Sequence, residues 1–322
     1  MTDPGLLRLL DANFNRAREA LRVLEDLVRF RFHDGASQAA LRAARHRLGA
    51  MERRWGRALV GARDSRGDAG REAPTERRAD AREVAAANFR RAQEALRVLE
   101  ECGERGAAGV RFSLYDLEKA FDARRRLAEV RLCVLLDSSV ARRPLERVAR
   151  EALAGGAGML QLREAGRTDR ELLRLASRLA RIAHDAGALF AVNDRADVAR
   201  AAGADGVHVG AADLPVGAAR LVPIVGATSH TLAEARAAVR AGADYFSVGP
   251  MFATALKPGL APRGASYLAA AKGLGAPFFC IGGITRANVR RSMERVAVCA
   301  GVIAQPDVRA AARAILRALG AG

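Results

Sequence analysis

The 322-residue chain carries a net charge of +17 and is half hydrophobic, so a full core is available and two domains are favoured over one. Its arginines are dispersed along helical patterns among many acids, without an aromatic platform or a basic tail, which argues against a nucleic-acid partner. No apolar run reaches the ~20 residues of a membrane span, and Met1-Thr2-Asp3-Pro4-Gly5 opens no cationic-then-apolar leader, so the expected location is the cytoplasm, away from membranes.

Residues 12–25 and 87–100 are an internal repeat that differs at only two positions. Phe14, Ala17, Leu21, Leu24 and Val28 follow the spacing of one helix face, and Phe89, Ala92, Leu96 and Leu99 repeat it. Two equivalent amphipathic helices are therefore expected, with Asp11 placed to cap the first. Ser37 to Leu59 and Ser113 to Val130 give further helical patterns, each opening on a serine that could cap it. Residues 1–127 read as an all-α domain. Both copies also keep polar residues, Asn13/Asn88, Arg16/Arg91, Glu19/Glu94, Arg22/Arg97 and Glu25/Glu100. Either a pseudo-symmetric polar site or a little-diverged duplication with solvated charges accounts for them. Between the copies, Gly61 to Arg82 is rich in charge and glycine and reads as a linker, with an anion-contacting loop as the alternative.

From Arg131 onward, within a second domain taken as residues 128–322, the texture changes to short apolar runs alternating with helical ones. The runs are Leu132 to Leu136, Met159 to Arg163, Leu189 to Asn193, Gly206 to Val209, Ile224 to Thr228, Tyr245 to Gly249, Phe278 to Ile281 and Val296 to Ala300. Helical patterns such as Pro144 to Leu153, Asp169 to Ala186, Leu232 to Ala241 and Val308 to Leu319 separate them. Eight strands alternating with helices predict a parallel (β/α)8 TIM barrel. An open doubly wound sheet is the alternative, but no GxGxxG opens the first helix. Cys102, Cys133, Cys280 and Cys299 show no CxxC spacing, and the last three fall in predicted strands, so buried thiols are expected rather than disulfides or zinc.

In such barrels the chemistry sits at the carboxyl ends of the strands. There the chain places Gln161, Arg163 and Glu164, then Asn193 and Asp194, then His208 and Asp213, then Thr228, then Thr254 and Lys257, and finally Gly282-Gly283 and Cys299-Ala300. Asp194 and Asp213 follow adjacent predicted strands and so can share one cation, for which Mg²⁺ with substrate phosphates is the natural match. Lys257 stands out because only Lys119 and Lys272 are lysines besides it. The Gly282-Gly283 pair and the Cys299-Ala300 amides fit a phosphate site in the loops after strands seven and eight. Two anion sites then call for two phosphorylated small molecules.

The motifs Gln161-Leu162-Arg163-Glu164, Asn193-Asp194-Arg195-Ala196-Asp197, Ala204-Asp205-Gly206-Val207-His208-Val209-Gly210 with Asp213-Leu214-Pro215, Gly242-Ala243-Asp244-Tyr245 with Gly249-Pro250, and Ile281-Gly282-Gly283-Ile284 occur in the order seen in thiamine phosphate synthases, which residue 131 onward resembles. The helical part looks like the domain fused to some of these synthases, for which a hydroxymethylpyrimidine phosphate kinase role has been proposed, although it contains no P-loop. The resemblance implies that Asp194 and Asp213 hold Mg²⁺ on a diphosphate cradled by Arg163, Asn193, Thr228 and Lys257. It implies further that Gln161 and His208 face the pyrimidine, that Thr254, Gly283, Cys299 and Ala300 hold the thiazole phosphate, and that no side chain acts as covalent nucleophile. Three departures stand out: Ala165 where the family usually has lysine, Ala211 where it has glutamine, and Leu256 where it has a second threonine. Arg167 is the expected substitute for the missing lysine. A thiazole tautomerase resembles the chain from Phe252 to Gly264, but Pro250 stands where that type uses histidine. A catalytically weak thiazole or thiamine phosphate-binding barrel is the remaining alternative. A homo-oligomer is possible.

Overall fold

The computed structural model describes residues 3–32, 34–64, 78–254, 259 and 261–320. The chain divides into two compact units, Met1–Asp122 and Ala123–Gly322.

The first unit is helical: α1 (Pro4–Phe30), α2 (Gly35–Arg53), α3 (Arg57–Gly61), α4 (Ala81–Glu101) and α5 (Ala107–Leu127), the last of which runs past the unit boundary. The two repeat helices lie within α1 and α4, and their apolar stripes meet. Phe14, Ala17, Leu21, Leu24, Val28, Phe89, Ala92, Leu96 and Leu99 are all buried in one core. The predicted caps are corrected. Asp3, followed by Pro4, accepts from the Gly5 and Leu6 amides and starts α1 well before Asp11. Asp11 instead lies buried within the helix, taking two hydrogen bonds from Arg63 at 2.8 and 2.9 Å. Asp34, not Ser37, caps α2, receiving the Ser37 amide at 2.9 Å. Ser113 sits inside α5, where its hydroxyl donates to the Val110 carbonyl.

Of the repeated polar residues, Asn13, Asn88, Glu25 and Glu100 have partners within the helical unit. Asn13 and Asn88 each donate back to the carbonyl four residues earlier, on Leu9 and Val84, at 2.8 and 2.7 Å. Glu25 takes Arg45 Nε at 2.9 Å, and Glu100 takes two bonds from Arg111. Most of the predicted linker lies outside the described residues.

In the second unit, among the described residues, β1 (Leu132–Leu136), β2 (Met159–Leu162), β3 (Leu189–Asn193), β4 (Gly206–Val209), β5 (Ile224–Ala227), β6 (Tyr245–Val248), β7 (Phe278–Ile281) and β8 (Val296–Val298) close into a parallel barrel in sequence order. The helices α6 (Leu145–Ala154), α7 (Asp169–Asp185), α8 (Ala196–Ala201), α9 (Leu232–Arg240), α10 (Gly264–Lys272), α11 (Ala300–Ile303) and α12 (Val308–Ala318) separate or follow the strands. The (β/α)8 expectation is met, with strands two, five, six and eight ending one or two residues earlier than read from sequence.

Alternation along each strand sets the layers. Val134, Leu160, Phe190, Val207, Val225, Phe246 and Val298 face out against the helices in the larger core. Cys133, Leu135, Met159, Leu189, Ala191, Ile224, Tyr245, Phe279 and Ala297 fill the interior together with Ala123, Leu127 and Val130. Asp244 ties the floor: it accepts from Arg124 Nε at 2.7 Å, Arg220 Nη1 at 3.0 Å and the Val225 amide at 2.7 Å.

Candidate active site

A cavity of about 670 Å³ opens at the carboxyl ends of the strands, within the range usual for small-molecule sites. Its wall includes Gln161, Arg163, Asn193, Asp194, His208, Ala211, Asp213, Thr228, Thr254, Gly283, Cys299 and Ala300. The structure thus brings together these candidates, while Glu164 and Arg167 are not on the wall, and Lys257 lies outside the described residues, as does Leu256.

The carboxylate pair is held from both sides. At the end of β3 the chain turns sharply, with Asp194 at φ 63° and its amide donating to the His208 carbonyl at 2.7 Å. This left-handed conformation is uncommon outside glycine, though Asp and Asn tolerate it best. After β4, Asp213 accepts the Gly210 amide at 2.7 Å. The two carboxyl groups lie within hydrogen-bonding reach of one another, and Asp194 is raised to about 6, first by partial burial and then by Asp213, with Asn193 and Arg163 pulling the other way. Two acidic side chains this close repel one another when both are ionised, and a shared cation relieves that repulsion. Their donor set is hard oxygen only, and among the described residues no group of three His, Cys, Asp or Glu forms a closed metal site. This suits a cation that takes one or two protein carboxylates and completes its shell with water and phosphate.

Arg163 is aimed by Asp137, at the end of β1, through a 2.9 Å bond. Asp137 is buried and also takes the Ser139 amide and hydroxyl. Gln161, also buried, donates to Asn193 Oδ1 at 2.9 Å. Both ring nitrogens of His208 are engaged, Nδ1 with the Tyr245 hydroxyl at 3.2 Å and Nε2 with Thr228 Oγ1 at 3.0 Å.

The glycine-rich turns after β6 and β7 interlock: the Met251 amide donates to the Ile281 carbonyl at 2.8 Å and that of Phe252 to Gly282 at 3.1 Å. Gly283, at φ 63°, admits no side chain, because a Cβ there would stand 2.4 Å from the Ala253 carbonyl oxygen. Asn288 pins the same turn, donating to the Gly283 carbonyl and accepting the Thr285 amide, both at 2.8 Å. The first amides of α11 follow Cys299 and have no intrahelical acceptor.

Cys299 is corrected from strand to turn, immediately past β8. Its thiol, like those of Cys133 and Cys280, is pushed up to about 12, chiefly by burial. Alkylation of the native protein at pH 8 should leave these three thiols unmodified, and denaturation should expose them; peptide mass mapping reads the result.

Arg167 does not stand in for the lysine absent at Ala165. It pairs with Glu164 at 2.6 Å, and Glu164 in turn holds the Ser138 amide and hydroxyl. Neither Arg167 nor Ala165 is among the described residues of the cavity wall. Arg167→Ala should therefore leave the KM for a diphosphate substrate unchanged, as steady-state kinetics would show. Two contributors escaped the sequence reading. Asp137 would have been found by reading the end of the first strand as the others were read, and Ser247, on the cavity wall, by stepping two residues from Tyr245 along β6.

The fold is a (β/α)8 barrel with a cavity at the carboxyl ends of its strands. Residues 132–305 match the model of the thiamine monophosphate synthase family, and residues 8–120 that of the ThiD2 family. A thiamine-phosphate synthase of Synechococcus sp. is 39% identical over 98% of this chain and 96% of its own, and one from Gloeobacter violaceus is 40% identical over 94% and 93%. The structure of a thiamine phosphate pyrophosphorylase from Pyrococcus furiosus superimposes with a TM-score of 0.55 at 32% identity, covering 61% of this chain and 97% of that one. The chain belongs to the thiamine-phosphate synthase family, transferases of thiamine biosynthesis, with an added helical ThiD2-family region.

Proposed function

We propose that the barrel, residues 128–322, joins hydroxymethylpyrimidine diphosphate to thiazole phosphate in the cytoplasm, forming thiamine phosphate and releasing pyrophosphate in an Mg²⁺-dependent reaction. The observation that carries this reading is the Asp194–Asp213 carboxyl pair sharing one cavity with Arg163 and with the glycine-built turn at Gly283.

Asp194 and Asp213 would hold Mg²⁺, which when bound supplies positive charge to the diphosphate oxygens and stabilises them as a leaving group. Arg163, fixed by Asp137, adds a cation to the same anion, and Asn193 and Thr228 add neutral donors. The bond between the pyrimidine methylene carbon and the diphosphate oxygen breaks with its electron pair on oxygen. The lone pair of the thiazole nitrogen then forms the new carbon–nitrogen bond. No side-chain nucleophile is required. Gln161, whose amide nitrogen is committed to Asn193, offers its carbonyl to the pyrimidine, and the His208 ring forms part of the same wall. Thr254, Gly283 and the amides beyond Cys299 take the thiazole phosphate, in keeping with the loops that bind phosphate in many barrels. Pro250 on the wall carries no base, which disfavours tautomerisation. Among the described residues no helix is long and apolar enough to cross a membrane.

The test is product formation by the purified protein with both substrates, with and without Mg²⁺. Thiamine phosphate and pyrophosphate should appear together only with the metal. A folded protein that binds thiazole phosphate yet forms no product would overturn the synthase reading in favour of a binding role.

A further inference from the structure

We propose that Tyr245, which lies beneath the cavity rather than on its described wall, is a positioning residue that turns the Thr228 hydroxyl proton toward bound diphosphate by fixing the tautomer of His208. The inference rests on the reading of Thr228 as part of the diphosphate cradle.

Tyr245 projects from β6 into the barrel interior and is 3% exposed. Its ring lies beside His208, centroids 5.4 Å apart, and meets the edge of Phe279 at 87°. The neighbouring strand makes room for it: a Cβ on Gly226 would fall 2.1 Å from Tyr245 Cζ and 2.5 Å from its hydroxyl. The strand pairing that aligns Gly226 with both His208 and Tyr245 thus places a phenol under the imidazole, with no side chain between them.

Burial keeps this phenol protonated well beyond its ordinary range. A buried hydroxyl needs an acceptor. Among the described residues the hydrogen-bond partner of the Tyr245 hydroxyl is His208 Nδ1, so the phenol donates and Nδ1 accepts. A neutral imidazole whose Nδ1 accepts carries its proton on Nε2, which donates to Thr228 Oγ1. Thr228 Oγ1 accepts that bond and keeps its own proton to give. Because Thr228 stands on the cavity wall, that proton is available to an anionic oxygen. With the opposite polarity the phenol would have no acceptor, and the threonine proton would be spent on His208. The gap left open at Gly226 therefore selects one direction for the whole chain.

Tyr245→Phe keeps the ring and removes the hydroxyl. Ring-nitrogen NMR of His208, assigned with His208→Gln, should show protonation at Nε2 in the wild type and loss of that fixed tautomer in the variant. Affinity for inorganic pyrophosphate with Mg²⁺ should fall about tenfold to a hundredfold in Tyr245→Phe and similarly in Thr228→Val, the loss of one hydrogen bond to a charged group. The double variant should bind no worse than Thr228→Val alone, since the two act through one bond. A wild-type proton on Nδ1, or losses that simply multiply in the double variant, would overturn the relay. Wild-type protein that binds no pyrophosphate would sink the diphosphate reading of the site, while the tautomer measurement would still decide whether Tyr245 sets the direction. That measurement on the wild type needs no variant to fold.

Discussion

Asp194→Asn should lower kcat/KM for thiamine phosphate formation on the order of a thousandfold, the scale of losing a major electrostatic stabiliser of a leaving anion, while the protein stays folded. The side chain keeps its shape and can still reach Asn193 and Asp213, but the site loses one of the two charges that would attract a divalent cation. In the wild type the acid limb of the rate profile should run through about pH 6, where Asp194 takes up its proton and competes with the metal. Stability without metal should move the other way. The folded-state value of Asp194 lies above its ordinary 3.8, so its contribution is favourable at pH below that value and is lost as pH rises through about 6. Thermal melting of metal-free protein should therefore decline across this window. Asp194→Asn should remove that part of the decline, and Mg²⁺ at pH 7 should raise the wild-type Tm more than the variant's. Equal activity in variant and wild type would show that the carboxyl pair is not the metal site.

Asp244→Ala should destabilise the barrel by about 3 to 5 kcal/mol, the usual result of removing one partner from a buried ion-pair network. The carboxylate is 9% exposed and holds two arginines and one strand amide, with Arg124 itself only 15% exposed. Removing it leaves two positive charges facing each other beside an unsatisfied Val225 N–H. For a unit of this size the drop in Tm is on the order of 10 °C, measurable by calorimetry. Double replacement of Asp244 with Ala and Arg124 with Met should recover part of the loss, because one of the two facing positive charges is then gone. A change below about 1 kcal/mol, the level of an exposed pair, would mean that the network is solvated.

The eight strands and their order were readable from residue 131 onward because a parallel sheet buried on both faces leaves near-continuous apolar runs with polar residues at their ends. The catalytic face followed from the same pattern, since all chemistry-bearing residues of a barrel emerge at one edge: Asp194 and Asp213 could be paired before any distance was known. The helical repeat was equally plain, because Phe14 and Phe89 head identical stripes.

Helix starts were harder to place. Asp11, Ser37 and Ser113 are all good cap residues by type, yet each lies inside a helix that begins earlier, where Asp3 and Asp34 satisfy the free amides of α1 and α2. Local propensity names the candidates for a cap, and the point at which each helix starts decides which of them is used.

The amino-acid sequence by itself determined the barrel, the identity of the residues around its mouth and the family to which the chain belongs, because these rest on periodicity and on residue types at strand ends. Only the tertiary structure decided how those residues are aimed. Asp137 orients Arg163, Glu164 claims Arg167, and Gly226 yields its space to Tyr245 beneath His208. The Asp137–Arg163 and Gly226–Tyr245 contacts join separate strands or loops, and a hydrogen bond or a missing Cβ across such a gap is fixed by register and closure, which no single stretch of sequence contains.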